Sequence, residues 1–251
     1  MSNQQHPSFD RTSQDAYVRQ RDIIPPDRIA EYRATVIGVG AAGRQVAIQL
    51  TAMGMPWLQL IDFDVVEAVN LGPQGFYQDD IGRPKVEAVA EICQEMNHQV
   101  EVDPIHDRFR RSINVGDVVF CCVDDMNARR HIWKAVEHRV DFFGDIRMTA
   151  EVLRVLVAVN DVTLTPEPGA AGGHYPTTLF RGDQAYRGAC TAKSTIFCAN
   201  IAAGLLMHQF SRWLRRLPVD VDQCMNLLAG EWDVGPIGSN DGPDLVDRGG
   251  N

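Results

Sequence analysis

Three glycines, Gly38, Gly40 and Gly43, stand in the spacing G-x-G-x-x-G within "VIGVGAAGRQ". Glycine at these positions permits a tight strand-to-helix turn and lets backbone N–H groups approach phosphate oxygens at a helix N-terminus. Asp62 follows about twenty residues on, at the end of the next apolar run, where an acid can bind ribose hydroxyls. The turn alone leaves several readings open: an NAD-binding oxidoreductase, an ATP-using enzyme, or a degenerate turn that holds nothing. For hydride transfer a catalytic Tyr-x-x-x-Lys or a His–Asp pair would be needed, and neither is evident in the sequence.

The stretch "LIDFDVVEAVNLGPQGFYQDDIGRPKVEA", Leu60 to Ala88, adds spaced carboxylates, amides and a lysine. Here the chain resembles the E1-like superfamily of ubiquitin-activating and sulfur-carrier adenylyltransferases. That superfamily pairs the glycine turn with D-x-D, N-x-x-R-Q and G-x-P-K. The matching residues are Asp62 and Asp64, then Asn70 and Gln74, then Gly82, Pro84 and Lys85. Further on, "CCVDDMNARR" is similar to the superfamily's C-T-D-N-x-x-x-R, with Asp124 and Arg129 at the acidic and basic positions. Upstream, "YVRQRDI" resembles its R-Q segment and places Arg19 at the arginine that reaches a partner subunit's ATP. The likeness runs from about Tyr17 to Gly230.

The resemblance implies adenylation of the C-terminus of a ubiquitin-like β-grasp protein, with ATP and Mg²⁺. Gly38, Gly40, Gly43, Asp62, Asp64, Asn70, Gln74 and Lys85 would bind the nucleotide. Lys85 and Arg19 would neutralise phosphate oxygens, and Asp124 would hold the metal. Each has a plainer reading: Lys85 as a solvated lysine at a helix start, Asp124 as a helix cap, Arg19 as a solvated terminal arginine. One position departs from the pattern. Pro73 stands where the superfamily has arginine, and Arg44 or Arg83 is expected to substitute, unless turnover is slow or the protein is an inactive scaffold.

Superfamily members that carry the activated tail on a thiol place a cysteine in the crossover loop or in an inserted domain. "YRGACTAKSTIFC" puts Cys190 there, near Arg187, Lys193 and the start of a long helix, an environment that lowers a thiol pKa. A thioester on Cys190, handed to an E2-like conjugating protein, is the expected route. The alternative is a sulfur-carrier adenylyltransferase without a thioester. Cys198 reads as core packing, Cys121 and Cys122 as a buried strand, Cys93 as a helix face, and Cys224 has no assigned role. His174, in "AGGHYP", reads as a solvated loop residue.

Of 251 residues, 45% are hydrophobic and 23% charged, enough for a sizeable core and against global disorder. A net charge of -9 argues against general nucleic-acid binding. The six cysteines contain no C-x-x-C pair, so no zinc site is expected. The polar start and the lack of a membrane-span pattern lead to an expectation of a cytoplasmic protein with free thiols and no membrane partner. A homodimer is implied by the resemblance.

The elements that must position these residues alternate strand and helix. "ATVIGVG", a helix from about Ala42 to Met53, and "WLQLID" make the first unit. A helix in "PKVEAVAEICQEMN" has Pro84 in its first turn and Val86, Val89, Ala90 and Cys93 on one face. "QVEVDPI", "DVVFCCV" and "VDFFGD" read as strands, "ARRHIWKAVEH" as a helix, and "VLRVLVAVN" as an added antiparallel strand. A glycine-rich crossover loop spans residues 165–193, a long apolar helix follows, and "QCMNLLAGEW" reads as one final strand. The predicted fold is α/β and Rossmann-like: a mostly parallel sheet, helices on both faces, and an antiparallel C-terminal portion. Residues 1–13 read as a disordered N-terminus, 14–233 as the adenylation domain, and 234–251 as a flexible tail.

Overall fold

A computed structural model describes residues 16–165, 173–180 and 195–235. One eight-stranded sheet organises them, in the order β3-β2-β1-β4-β5-β6-β7-β8. The strands are β1 (Ala34–Ile37), β2 (Trp57–Ile61), β3 (Glu101–Ile105), β4 (Val118–Cys121), β5 (Phe142–Thr149), β6 (Val152–Val159), β7 (Asp222–Asn226) and β8 (Glu231–Val234). Pairings from β3 across to β5 are parallel, and those from β5 to β8 are antiparallel. The helices are α1 (Pro26–Ile29), α2 (Ala41–Met53), α3 (Leu71–Gln74), α4 (Lys85–Met96), α5 (Met126–Val136), α6 (His174–Thr177) and α7 (Ile196–Leu214).

The central strands are apolar on both sides because both sides are covered. In β4, Val118 and Phe120 join the larger core with Val46 and Leu50 of α2, Val89 of α4 and Phe210 of α7. Their neighbours Val119 and Cys121 point the other way, onto Ile132 and Trp133 of α5. Helix α7 lies directly on β5, where a Cβ at Gly144 would come within 2.5 Å of Leu206. No helix among the described residues is long and apolar enough to cross a membrane.

Details of the chain differ from the sequence reading. Strand β5 continues to Thr149, beyond "VDFFGD", because it pairs along its whole length with β6. "QCMNLLAGEW" is not one strand but most of a hairpin, β7 and β8, with Gly230 in the left-handed region at φ +69°. Pro84 is the residue that caps α4 rather than one inside its first turn.

The region expected as a loop contains α6, which is pinned to the sheet. Tyr175 is buried and its hydroxyl donates to Asp145 Oδ2 at 3.0 Å. Arg147 donates to the carbonyl and the hydroxyl of Thr178, each at 2.9 Å. His174 is not solvated: its Nε2 lies 2.7 Å from Asp222 Oδ2. Asp222 is fully buried, so it requires partners, and Arg154 and His174 supply them. A His–Asp pair therefore exists, between residues 48 positions apart, where no local motif could reveal it. It sits on β7, about 14 Å from β4 at the usual strand spacing, and not at the glycine turn.

Candidate active site

The sheet reverses its order between β1 and β4, since β1 leads outward to β2 and β3 while β4 leads to β5. Ligands of open α/β sheets bind in the crevice beyond the strand C-termini at such a point. The glycine turn occupies it. Gly38 has φ +85°, and a Cβ there would lie 2.8 Å from the carbonyl oxygen of Cys122, the residue after β4. At Gly43 a Cβ would fall 1.8 Å from the Gly38 carbonyl oxygen, so the turn closes on α2 only without a side chain. Gly40, the residue before α2, instead faces the Gln74 side-chain amide, whose oxygen would be 3.7 Å from a Cβ.

Asp62 fastens this turn to the end of β2. Its Oδ2 accepts from Val39 N–H at 2.6 Å and its Oδ1 from Asp64 N–H at 2.9 Å. Burial raises its carboxyl above the ordinary value, although these two N–H groups and Lys85 oppose the shift. Asp62 is thus a structural clamp on the turn as well as a ribose candidate. Asp64, half exposed, receives Lys85 Nζ at 3.0 Å, and its carbonyl accepts the Lys85 backbone N–H. Lys85 is buried with 7% of its side chain exposed, which excludes the solvated-lysine reading.

Asn70 and Gln74 bracket α3. Asn70 Oδ1 accepts from Glu67 N–H at 2.9 Å, leaving its NH₂ group without a hydrogen bond among the described residues. Gln74 Oε1 is buried and has no hydrogen-bond partner among the described residues. That orphaned atom beside Gly40 fits a site completed by a polar ligand, because buried amide oxygens otherwise find a donor.

Asp124 is exposed at the end of β4, with no hydrogen bond or ion pair to a described residue. The capping role considered for it belongs to its neighbour: Asp125 accepts from Ala128 N–H at 2.7 Å and starts α5. Among the described residues no group of three or more His, Cys, Asp or Glu forms a metal cluster. A single carboxylate remains a suitable partner for Mg²⁺, which commonly takes one or two carboxylates together with phosphates and water.

Arg129, from the same motif, does not reach outward. Its Nε donates to Asp145 Oδ1 at 2.9 Å and its Nη2 to the Ile146 carbonyl at 2.9 Å. Burial opposes ionisation of Asp145, but Arg129 and Arg147 outweigh it and hold the carboxyl below its ordinary value. This Asp145 cluster is the main polar feature that sequence reasoning missed. Its one local signal is an acid inside the otherwise apolar run "FFGDI".

Arg19 is exposed, and its segment docks at the far end of α2 from the glycine turn. Gln20 Nε2 donates to the Ala52 carbonyl at 2.8 Å, and the Tyr17 ring packs over Gly54. From Gly40 to Ala52 the helix runs about 18 Å, farther than an arginine side chain extends. Arg19 is therefore not brought to its own chain's turn.

Cys190 lies outside the described residues, as do the N-terminal residues 1–15, the tail 236–251 and most of the crossover region. Among the described thiols, burial pushes Cys121 up to about 12, and Cys122 well above its ordinary value. Burial likewise raises Cys93 and Cys224. Cys198 is buried in α7, where the sequence had placed it in the core.

A sequence profile of the ThiF family matches residues 17–207. The chain belongs to the ThiF family. It is E1-like in sequence and in fold. This ThiF-family chain is 36% identical over 118 residues to the SAMP-activating enzyme E1 of Haloferax volcanii, covering 45% of the chain and 43% of that protein. With the ubiquitin-like modifier-activating enzyme 5 of Aedes aegypti it shares 32% identity over 190 residues, 61% of the chain and 48% of the relative. The matched stretches thus span less than half the length of these curated relatives. Among solved structures, PaaA superposes with a TM-score of 0.72 at 17% identity, covering 94% of this chain and 77% of that one. E. coli MccB, solved with ATP, gives 0.70 at 14% identity, covering 92% and 72%. At these identities the structural likeness concerns the fold.

Proposed function

We propose that this ThiF-family chain binds ATP with Mg²⁺ and adenylates the C-terminal carboxylate of a ubiquitin-like β-grasp protein. One observation supports the reading: at the switch point the buried Gln74 amide oxygen, without a hydrogen-bond partner among the described residues, faces Gly40, while Asp62 ties the turn to the segment that carries the buried Lys85–Asp64 pair, and Asp124 follows β4. An NAD enzyme would use the turn but has no need of Gln74, the Lys85–Asp64 pair or Asp124. Relatives named for activating SAMP or a ubiquitin-like modifier support the choice of substrate class.

In this reading the backbone N–H groups of the glycine turn and the N-terminus of α2 receive phosphate oxygens. Lys85, held by Asp64, presents an ammonium to the phosphate chain, while Asn70 and Gln74 orient it by hydrogen bonds. A carboxylate oxygen of the carrier attacks the α-phosphorus, the bond to the bridging oxygen breaks, and pyrophosphate departs. Asp124 would hold Mg²⁺, which would supply charge neutralisation for that departing group. Arg19, distant from its own site, completes a neighbour's site in a homodimer.

The acyl-adenylate then meets the Cys190 thiolate. Sulfur bonds to the acyl carbon, AMP leaves, and the thioester passes to an E2-like protein. The second reading, a sulfur-carrier adenylyltransferase, stops before this step. The deciding experiment is carrier-dependent ATP–pyrophosphate exchange together with a denaturing gel. The proposal predicts exchange in the wild type and in Cys190→Ala, with a reductant-sensitive adduct only in the wild type. Exchange without any adduct would select the sulfur-carrier reading. Tight NAD binding without ATP binding would sink both.

A further inference from the structure

We propose that Arg44 is the guanidinium that grips the phosphate chain of the nucleotide, a role that rests on the ATP reading above. Arg44 lies one turn into α2, and its backbone N–H donates to the Gly40 carbonyl at 3.0 Å. It is 6% exposed, and its Nε has no hydrogen-bond partner among the described residues. A buried guanidinium ordinarily sits on a carboxylate or a set of carbonyls, because desolvating an unmatched charge is costly. Among the described residues Arg44 forms no ion pair. Asp80, the carboxylate in its surroundings, already accepts from Tyr77 N–H at 2.9 Å and from Arg83 Nη1 at 3.3 Å. Burial accordingly depresses the Arg44 pKa, with Tyr77 and Asp80 opposing.

What surrounds the guanidinium is a slot. The Phe76 and Tyr77 rings lie 5.6 and 5.9 Å from its central carbon, and Gly75 leaves room for it, since a Cβ there would lie 3.2 Å from Nη1. Gly75 directly follows Gln74, whose own buried oxygen is the second orphan of this region. The two orphaned groups come from facing elements, α2 and α3, that bracket Gly40. A ligand that supplies both anionic oxygens and hydroxyl donors would satisfy them together, and a nucleoside triphosphate does. The other candidate for this role, Arg83, is already held by Glu91 at 2.8 Å and by Asp80. Its charge is met by carboxylates at ion-pair distance, whereas Arg44 has no ion pair among the described residues and only the Tyr77 side-chain hydrogen bond and the nearby Asp80 charge against its burial. Pro73 carries no donor, so the cation is provided from α2 instead of from α3.

Calorimetry on the full chain with ATP, pyrophosphate and adenosine as separate probes tests this. Arg44→Gln should weaken ATP and pyrophosphate binding about ten- to a hundredfold and leave adenosine binding unchanged. Equal loss for all probes, or no loss for any, would overturn the assignment. Arg44→Lys keeps the charge and most of the volume, and serves if the glutamine variant does not fold. It should retain adenosine affinity but recover only part of the phosphate affinity, since ammonium cannot reproduce the planar fork. In the wild type, the Arg44 Nε–H resonance, assigned by its disappearance in Arg44→Lys, should shift with pyrophosphate and not with adenosine. An unmoved resonance under saturating pyrophosphate would count against the contact. If the wild type binds neither ATP nor pyrophosphate, the ATP reading itself fails; if it binds both and Arg44→Gln does too, only the role of Arg44 fails.

Discussion

Lys85 Nζ lies 3.0 Å from Asp64 Oδ2, an ion pair in which the lysine is buried and the aspartate half exposed. The asymmetry sets the direction of the contact. Asp64 fixes the lysine from one side while its side chain stays half exposed to solvent. Removing the ammonium should therefore affect ATP chemistry more than folding. Lys85→Met, which keeps the buried stem, should lower pyrophosphate exchange by about a hundredfold or more, corresponding to roughly 3 kcal/mol in the transition state. Thermal unfolding should move by a few degrees at most. Lys85→Ala should additionally lose packing, because the stem is buried rather than solvated. Normal exchange in Lys85→Met would remove the lysine from the site.

Neighbouring aspartates should separate metal binding from folding. Asp124→Asn is expected to raise the Mg²⁺ concentration needed for exchange while the melting temperature holds, since this side chain has no described partner. Asp125→Ala should do the reverse, losing about 1 kcal/mol through the vacated cap of α5 with the Mg²⁺ dependence intact. A Mg²⁺ titration and a melt of each variant decide it. Reversed results would transfer the metal role to Asp125.

The docking of the Arg19 segment at Ala52 and Gly54 predicts activity shared between subunits. Arg19→Ala and Lys85→Met, each impaired alone, should recover part of the exchange rate when mixed. A mixed dimer contains one site with both defects and one with neither. Persisting inactivity, once subunit exchange has been demonstrated by labelled subunits, would show that Arg19 does not act across a dimer.

Acid should loosen the crossover anchor through Asp145. Its folded pKa lies below the ordinary 3.8, so the unfolded chain binds more protons in that range. The stabilisation is complete above 3.8 and is lost as the pH falls through the folded value. Asp62 contributes in the opposite sense: its raised pKa stabilises the fold at low pH, and that contribution is lost as the pH rises through the folded value. Urea midpoints followed downward from about pH 6 should show the loss in the wild type and a shallower one in Asp145→Asn. The variant should also be about 3–5 kcal/mol less stable at neutral pH, because Arg129 and Arg147 are left without their carboxylate. Equal acid slopes in the two proteins would mean that other carboxylates govern the acid limb.

The order of elements was legible in the sequence because local rules govern it. Buried strands such as "VVFC" read as unbroken apolar runs, and α4 shows its one-sided apolar face at helical spacing. The glycine turn was legible too, since a close backbone approach leaves glycine as the residue that fits at Gly38 and Gly43. Spaced motifs likewise singled out Asp62, Asp64, Lys85 and Asp124, and the fold joins Asp62 to the turn at Val39 and Lys85 to Asp64. Other assignments depended on tertiary contacts. Whether Lys85 is solvated or buried turned on Asp64, 21 positions away. The helix-cap role belongs to Asp125 rather than Asp124 because the helix begins at Met126 and the Asp125 side chain accepts from Ala128 N–H. His174 found Asp222, and Tyr175 found Asp145, across separations at which charge and polarity carry no sequence signature. Arg44 shows the division most plainly. Its position beside the third glycine was visible at once, but only the fold buries its guanidinium without an ion pair among the described residues and leaves its Nε, like the Gln74 Oε1, without a hydrogen bond among them. Local pattern determines which elements form, since it needs only neighbouring residues. Desolvation and partner choice are properties of the packed state, and they decide which charged groups remain available for chemistry.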